Sequence, residues 1–444
     1  MLRKIIDNTL PLTFGVLSIM LVQLIDSIFI GRLGIDALTA QGLTLPFHTV
    51  IIGIQVGIGV ASTSIISQAV GSKNIEAATK TATIGVIIGV LVLSMLSLTL
   101  WLKRPFFLSL FGDFDNSASG LGVINALLDD YWSVWLISAV LGALLYFISG
   151  VYRANGETKT PGYFLILASM INLVLDPIFM FTLEMGIKGA ALASSVSFVI
   201  CILIMVIRVQ KKQWFCFSLF ERKTIDYSRA LMNMAIPTTT NQILPSVSAM
   251  TVTFFIAQLG TTSIAFWTLL TRLEMFSLVL ALSLTMSIPP MVGRYIGEKN
   301  TDKVAELVFT AARFVLVYHI VIAIAAMLGA SYISELLTED ATLSSTLAYA
   351  LVFVPLSYGP LGLCMVIVSV FNALCEPKKA LILSSFRLFV FYIPATVIGV
   401  TLGSIESVLW GVFIANILAG TTAWFMFSQR VRKLNMESDY CENA

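Results

Sequence analysis

Charged side chains are scarce in this sequence. Asp, Glu, Lys and Arg make up 12% of its 444 residues, whereas 57% are hydrophobic. A water-soluble domain usually carries about 25% charged residues, so this chain could not cover a soluble surface of its size. The formal net charge of +2 gives no basis for binding nucleic acid. We therefore expect a lipid bilayer around the protein and no nucleic-acid partner.

The residues that most metal centres and catalytic sites need are also few or badly spaced. None of the five cysteines forms a C-x-x-C pair, and the two histidines, His48 and His319, lie far apart in the chain. No Walker sequence, Ser/His/Asp group or H-E-x-x-H motif is present. We expect no cofactor, no dedicated metal centre and no enzymatic activity.

Apolar runs of about 20 residues, the length that crosses a bilayer, recur along the chain between short polar loops. They predict an all-α polytopic membrane protein with twelve transmembrane helices, because the strict alternation of β-barrel strands is missing. The predicted spans are 8–31, 43–69, 81–101, 131–150, 161–183, 189–208, 231–258, 265–292, 307–330, 344–371, 379–402 and 408–429.

The basic residues predict how these spans are oriented. With a cytoplasmic N-terminus, 20 of the 27 Lys and Arg residues fall on the cytoplasmic side and 4 fall on the opposite side. This asymmetry follows the positive-inside rule. We expect a multi-pass protein of a bacterial or archaeal cytoplasmic (inner) membrane, with both termini cytoplasmic. The first apolar stretch shows no A-x-A-like cleavage site, so we interpret it as a retained helix rather than a signal peptide.

The chain also contains a half-length repeat at a constant offset of 226. The matching positions are Pro11 and Pro237, Leu33-Gly34 and Leu259-Gly260, and Gly71-x-Lys73-Asn74 and Gly297-x-Lys299-Asn300. Because six spans bring a chain back to the same side, the repeat predicts two parallel, pseudo-symmetric six-helix lobes. The predicted domains are an N-lobe at 1–208, a cytoplasmic inter-lobe loop at 209–230, a C-lobe at 231–429 and a cytoplasmic tail at 430–444.

Only three acidic residues fall well inside the predicted spans, namely Asp26, Asp176 and Glu274. A carboxylate near the bilayer centre costs at least ~2.5 kcal/mol on insertion scales, so each needs a partner, water or a proton. Asp26 and Asp176 lie at similar depth, in helices that run in the same direction. Asn172 lies one helical turn before Asp176 and on the same face. We predict a joint cation site in the N-lobe.

The chemistry of this pair leaves two coupling ions open. Burial and a like-charged neighbour both favour the protonated form of a carboxyl group, which suits proton exchange. Carboxylate, amide and hydroxyl oxygens could instead bind Na⁺ at Asp26 and Asp176. The structural alternative is that each Asp caps a broken helix or pairs with a polar neighbour. Pro177 and Pro11 are candidates for helix bending, although Pro11 could simply mark a helix start.

Glu274 has two interpretations. It could face a central cavity and attract cationic cargo, or it could make a structural contact with Arg387 of the eleventh span. A direct pair with Arg272 is not expected, because residues two apart on a helix do not face each other. The histidines, His48 and His319, are expected to be structural.

Several short segments together resemble the multidrug and toxic compound extrusion (MATE) family, in particular its DNA-damage-inducible protein F-like (DinF-like) branch. The segments are Asp26–Gly34, Arg153–Pro161, Asn172–Phe179, Gly189–Ser194 and Glu376–Lys379, followed by Arg387 and Ile393-Pro394. The resemblance covers nearly the whole chain. It implies two six-helix lobes around a central cleft, and export of amphipathic, often cationic, compounds in exchange for H⁺ or Na⁺.

The resemblance also implies a set of functional residues. The cation-coupling set is Asp26, Asn172, Asp176, Ser194 and Tyr131. The candidates for the substrate cavity are Gln23, Gln55, Asn241, Trp267 and Glu274. We expect small organic molecules and H⁺, or less favourably Na⁺, as partners of a monomer. A lipid-linked oligosaccharide flippase of related architecture is the alternative, but it would require a strongly basic cavity, for which the spans offer few arginines.

Overall fold

The computed structural model describes residues 1–109, 121–216 and 222–442. The described residues form helices and turns without any strand, which confirms the all-α prediction. Residues 217–221 of the predicted inter-lobe loop and 443–444 of the predicted tail lie outside the described residues.

In the first half of the chain, six long helices cover the first six predicted spans. The helices of this half, including the short α4, are α1 (Leu2–Arg32), α2 (Ile35–Gly71), α3 (Ile75–Leu102), α4 (Arg104–Ser109), α5 (Leu121–Ala154), α6 (Lys159–Pro177) and α7 (Gly186–Lys212). A π-helical turn, Ile178–Thr182, extends α6.

In the second half, three predicted spans are each built from more than one helical segment. The helices are α8 (Arg222–Ala257), α9 (Thr261–Ser277), α10 (Val279–Gly297), α11 (Thr301–Leu328), α12 (Ala330–Leu337), α13 (Ala341–Phe353), α14 (Tyr358–Ala373), α15 (Pro377–Ser385), α16 (Ile393–Thr401) and α17 (Ile405–Glu442). A 3₁₀ turn, Val354–Ser357, joins α13 to α14, and a π-helical segment, Phe386–Tyr392, joins α15 to α16.

Within the described residues, eleven helical stretches are long and apolar enough to cross a membrane. They correspond to every predicted span except the seventh. The seventh span is present as α8, but that helix carries polar residues at 233, 238–242, 246 and 248, which lower its hydropathy.

The backbone confirms the repeat, because two pairs of positions at the offset of 226 share a positive φ. These pairs are Gly34 (118°) and Gly260 (109°), and Lys73 (58°) and Lys299 (56°). Two further pairs with a positive φ lie 219 residues apart, namely Gly156 (88°) and Cys375 (55°), and Glu184 (54°) and Gly403 (79°). A left-handed conformation is unfavourable for residues with a side chain. Its recurrence at Lys73 and Lys299 shows that both copies make the same turn between helices.

The residue after each of these lysines begins the next helix in the same way. The side-chain oxygen of Asn74 accepts a hydrogen bond from the Ala77 backbone N–H at 3.0 Å, and that of Asn300 accepts one from Lys303 at 3.1 Å. Each asparagine thus satisfies one of the free N–H groups at a helix start. The repeated Gly-x-Lys-Asn sequence is therefore a repeated turn and helix cap.

The chain forms two compact units. The N-unit comprises Phe14–Ile66 and Asn74–Thr239, and the C-unit comprises Met1–Thr13, Ser67–Lys73 and Thr240–Ala444. The start of α1 thus belongs to the C-unit and the start of α8 to the N-unit. The two boundaries, after Thr13 and after Thr239, are themselves 226 residues apart. The lobes predicted from sequence follow chain order and do not include this exchange of helix starts.

Each unit packs around an equivalent central helix. In the N-unit, α5 packs against α3 and α7. In the C-unit, α14 packs against α11 and α17. Because α5 and α14 cover the fourth and tenth predicted spans, the two units repeat the same internal packing, as expected for a duplicated six-helix lobe.

The two asparagine caps give the first prediction. Replacing Asn74 or Asn300 by Ala should each lower the free energy of unfolding by about 1 kcal/mol, the typical value of a helix N-cap. Asn74→Asp and Asn300→Asp should keep nearly full stability, since Asp also accepts the N–H bond. Unfolding in mixed detergent micelles, followed by circular dichroism, measures both. Equal losses for Ala and Asp would contradict the capping role.

Candidate functional site

The polar residues of α6 and α7 form the centre of the candidate site. Asp176 is fully buried and Asn172 is 6% exposed. Asn172 Nδ2 donates to Asp176 Oδ1 at 3.1 Å and to Ser194 Oγ of α7 at 3.2 Å. The four-residue spacing places Asn172 beside Asp176, as the sequence predicts. One amide therefore bridges the carboxylate of one helix and the hydroxyl of the next.

A glycine brings α7 close to the end of α6. A Cβ atom on Gly189 would lie 2.7–2.8 Å from backbone atoms of Phe179 and Met180 in the π-helical turn. Any side chain there would push α7 away and carry Ser194 with it. Gly189 is a positioning residue that sequence reasoning noted only as part of a motif.

Asp26 of α1 joins this centre. Its carboxyl group lies close enough to that of Asp176 for the two to interact directly. Asp26 Oδ1 and Asp176 Oδ2 are both buried, and neither has a hydrogen-bond partner among the described residues. Buried polar atoms are normally satisfied, and exceptions often mark functional positions. Two such carboxyl oxygens together are what a site for a proton or a small cation requires.

Tyr131 of α5 completes the set predicted from sequence. It is 6% exposed and lies within electrostatic reach of Asp26, and its hydroxyl approaches Thr44 of α2. The Thr44 hydroxyl donates to the Gln41 carbonyl at 2.7 Å, so its oxygen can accept from Tyr131. Sequence reasoning missed Thr44, whose only signal is a single hydroxyl in an apolar run.

Five residues predicted to couple the cation, Asp26, Tyr131, Asn172, Asp176 and Ser194, thus come together from four helices within the N-unit. The described residues contain no group of three His, Cys, Asp or Glu side chains that could hold a metal ion. The oxygens of this set suit a proton or a monovalent cation better than a multivalent metal.

The two candidate bending prolines are placed differently from each other. α6 ends at Pro177 and continues as the π-helical turn, so the backbone is irregular directly beside Asp176. Pro11 lies inside α1, nine residues after its first residue, and the helix continues to Arg32. The idea that Pro11 marks a helix start is therefore wrong. It lies instead two residues before the helix passes from the C-unit to the N-unit.

The cavity candidates are spread over both units. Gln23 is exposed and Gln55 is half-buried in the N-unit. In the C-unit, Asn241 is 6% exposed with an unpartnered Oδ1, and Trp267 belongs to the hydrophobic core.

Glu274 lies near the end of α9 in the C-unit, half-buried, within electrostatic reach of Arg387. Arg387 belongs to the π-helical segment between α15 and α16. Tyr358 and Tyr392 also lie near Glu274, and the buried Tyr358 hydroxyl has no partner among the described residues. No hydrogen bond or salt bridge joins these two described side chains, so the pairing with Arg387 that the sequence offered as one of two interpretations stays a prediction.

Comparisons with known proteins agree with this fold. A family model described as MatE matches residues 11–178 and 237–398, two segments that begin 226 residues apart. The MATE transporter VcmN of Vibrio cholerae, in its bent form, is 40% identical, with a TM-score of 0.93 and 98% of each chain covered. Multidrug export protein MepA of Staphylococcus aureus is 23% identical over 427 residues, covering 95% of this chain and 92% of MepA.

A third relative carries a different name. The FAD transporter of Shewanella oneidensis is 24% identical over 438 residues, which cover 97% of this chain and 94% of that protein. With the fold and the match above, the chain is a multi-pass membrane transporter. It belongs to the MatE family, whose members are transporters rather than enzymes.

The electrostatic interaction between Glu274 and Arg387 gives the second prediction. Glu274→Gln and Arg387→Gln should each lower the thermal stability of the purified protein. The double variant should lose less than the two changes combined, with a coupling energy within about 0.5–3 kcal/mol, because each single change leaves the other charge without its partner. Additive losses would show that the two side chains do not act as a pair and would favour the cavity role of Glu274.

Proposed function

We propose that the chain is a secondary active exporter that exchanges amphipathic, mainly cationic, organic compounds for protons by alternating access. Asp26 and Asp176 carry the coupling proton. The observation that carries this proposal is the pair of adjacent carboxyl groups within the N-unit, each with one buried oxygen that has no hydrogen-bond partner among the described residues.

Electrostatics supports a shared proton. Two ionised carboxylates side by side in an apolar environment repel each other and both lose hydration. A single proton between them removes most of the repulsion, and such a pair titrates as one coupled unit. A buried pair of this kind can take up a proton when one side of the membrane is acidic and release it to the other side.

The orientation of Asn172 favours H⁺ over Na⁺. Its Nδ2 group faces both Asp176 and Ser194 and donates to both. An N–H donor stabilises a carboxylate but repels a cation, which needs oxygen ligands. Sodium would require the amide to rotate and present its Oδ1 atom instead. Protons can bind Asp176 without this rearrangement.

Exchange requires that the proton and the cargo favour different states of the transporter, since a ligand that binds both states equally shifts nothing. Asp26 belongs to α1, the helix that also contains Pro11 and whose residues belong to the C-unit up to Thr13 and to the N-unit from Phe14. Protonation of Asp26 therefore acts on a helix with a weak point in its hydrogen bonding. We infer that bending of α1 at Pro11 and of the π-helical turn after Pro177 links proton binding to the change of state.

The proposed setting is a bacterial or archaeal cytoplasmic (inner) membrane, with both termini cytoplasmic, and the basic residues support this orientation. The protein works as a monomer in this proposal. The names of the relatives suggest two kinds of cargo. The name of MepA, a multidrug export protein, supports organic drugs as the cargo. The name of the Shewanella FAD transporter, which is matched over nearly its whole length, supports a flavin dinucleotide as the second candidate cargo.

The coupling ion and the two acids are tested in one experiment. Purified protein in liposomes should export a fluorescent organic cation when a pH gradient is imposed and not when only a Na⁺ gradient is imposed. Asp26→Asn and Asp176→Asn should reduce the initial rate at least tenfold. Asp36→Asn, a change at an exposed residue of α2, should keep the wild-type rate.

Three results would contradict parts of the proposal. Export driven by the Na⁺ gradient alone would show that the coupling ion is Na⁺ and not H⁺. Wild-type export by both Asn variants would remove Asp26 and Asp176 from coupling. Export of FAD, but not of the organic cation, by the same vesicles would show that the cargo is a flavin dinucleotide rather than an organic cation.

Pro11 gives a separate prediction. Pro11→Ala restores one backbone hydrogen bond within α1, and interior proline costs a helix about 3 kcal/mol relative to Ala. The variant should therefore be at least as thermally stable as wild type, yet transport the cation more slowly, because α1 bends less easily. Unchanged transport with raised stability would show that bending at Pro11 is not part of the cycle.

A further inference from the structure

Two glycines at matching positions of the repeat touch each other. Gly71 ends α2 and Gly297 ends α10, and both belong to the C-unit. A Cβ atom on Gly71 would lie 2.2 Å from the backbone oxygen of Arg294. One on Gly297 would lie 2.2 Å from the backbone oxygen of Gln68 and 2.8 Å from Gly71 Cα.

This contact follows the symmetry of the repeat. Gln68 and Arg294 are also separated by the offset of 226. The contact of Gly71 with Arg294 and the contact of Gly297 with Gln68 are therefore equivalent to each other in the repeat. The ends of α2 and α10 thus cross at matching positions of the repeat, backbone against backbone.

One helical turn earlier the same crossing contains a pair that is not symmetric. Ser67 of α2 corresponds to Gly293 of α10, and both are buried. A Cβ atom on Gly293 would lie only 2.0 Å from Ser67 Oγ and 3.0 Å from Ser67 Cβ. The crossing has room for one small side chain at this level, and Ser67 supplies it.

Neighbouring contacts hold the end of α10 in the C-unit. Lys4 Nζ donates to the Tyr295 hydroxyl at 2.8 Å, and the Thr9 and Ser287 hydroxyls are 2.8 Å apart. On α2, Gln68 Nε2 donates to the Ala373 carbonyl at 2.7 Å. These bonds tie α10 to α1 and α2 to α14, whereas α2 and α10 meet each other through the close fit of their backbones.

The two helix ends do not need the crossing for their own structure. Two residues after each helix ends, a lysine with a positive φ, Lys73 or Lys299, makes the turn, and the following asparagine caps the next helix by a local bond. Separation of α2 from α10 would thus leave both turns intact. At Gly71 and Gly297 the nearest atoms across the crossing are backbone atoms rather than apolar side chains.

We propose that the crossing of α2 and α10 at Gly71 and Gly297 is a reversible closure. It seals the transport path on the side of the N-terminus and separates when cargo enters from that side. Gly71, Gly293 and Gly297 are positioning residues, because only their lack of side chains lets the closure form. This inference rests on the proposed alternating-access export.

The first test enlarges the glycines. Gly71→Ala and Gly297→Ala should lower the export rate of a fluorescent organic cation at least tenfold. They should also speed amide hydrogen exchange severalfold in the segments 64–73 and 290–298, because the closure is weakened. Gly31→Ala and Gly42→Ala are matched controls in α1 and α2, where an added Cβ meets nothing within 4 Å, and both should behave as wild type.

The second test moves the one small side chain across the contact. Gly293→Ser alone should reduce export and speed exchange as the alanine variants do. Combining it with Ser67→Gly, which frees the space opposite, should recover at least half of the wild-type rate and the slow exchange. Recovery by the second, space-making change would show that the loss arises from the clash at this contact and not from a serine at position 293 as such.

Two outcomes would overturn the inference. One is wild-type export and exchange in Gly71→Ala and Gly297→Ala. The other is a Ser67→Gly, Gly293→Ser double variant no better than Gly293→Ser alone. Because hydrogen exchange needs neither cargo nor gradient, the closure is judged separately from the coupling role of Asp26 and Asp176. Failure of the Asn variants to change transport would leave the exchange result standing.

Discussion

The need to satisfy every backbone N–H and C=O group without water constrains the whole molecule. In a bilayer this leaves long continuous helices as the default, and irregular backbone is tolerated only inside the protein. The described residues depart from regular helix in a few places within the predicted spans. One π-helical turn, Ile178–Thr182, follows Asp176, and the other π-helical segment, Phe386–Tyr392, contains Arg387. Such departures are frequent at functional sites, and here they coincide with ionisable groups.

The duplication preserved the backbone far better than it preserved side-chain chemistry. Matching turns share positive φ angles, and matching helices pack in the same way within each unit. The acids do not follow this symmetry. Asp26 corresponds to Val252, and Glu274 corresponds to His48, which packs beside Trp135 in the N-unit. Backbone geometry is held by many distributed contacts, whereas a single ionisable group can change without disturbing the fold. The two copies therefore keep the same backbone architecture while they differ in their ionisable groups.

Sequence reasoning succeeded wherever the relevant distance lies along one helix or one turn. Hydropathy located the helices, the constant offset located the repeat, and the four-residue spacing placed Asn172 beside Asp176. It failed where two helices must meet. Thr44 near Tyr131, and Gly189 against the turn after Pro177, depend on how side chains interdigitate between helices. No pattern within one segment encodes that. The exchange of helix starts between the units was missed for the same reason, since it requires knowledge of partners that lie more than 200 residues away.

The two repeated prolines, Pro11 and Pro237, share the same position relative to the boundary between the units. Pro11 and Pro237 each precede by two residues the point where a helix leaves one unit and enters the other. A proline cannot donate to the carbonyl four residues earlier, so each helix lacks a backbone bond next to its crossing point. The start of α1 is held in the C-unit by Lys4 and Thr9, while Asp26 belongs to the N-unit further along the same helix. In the proposed mechanism, a change in protonation at Asp26 therefore acts on a helix that is fixed at one end and lacks a backbone bond before the acid. The equivalent point in α8 has no acid on its helix within the C-unit. The two prolines thus lie beside matching unit boundaries, while an acid follows the boundary in α1 and not in α8.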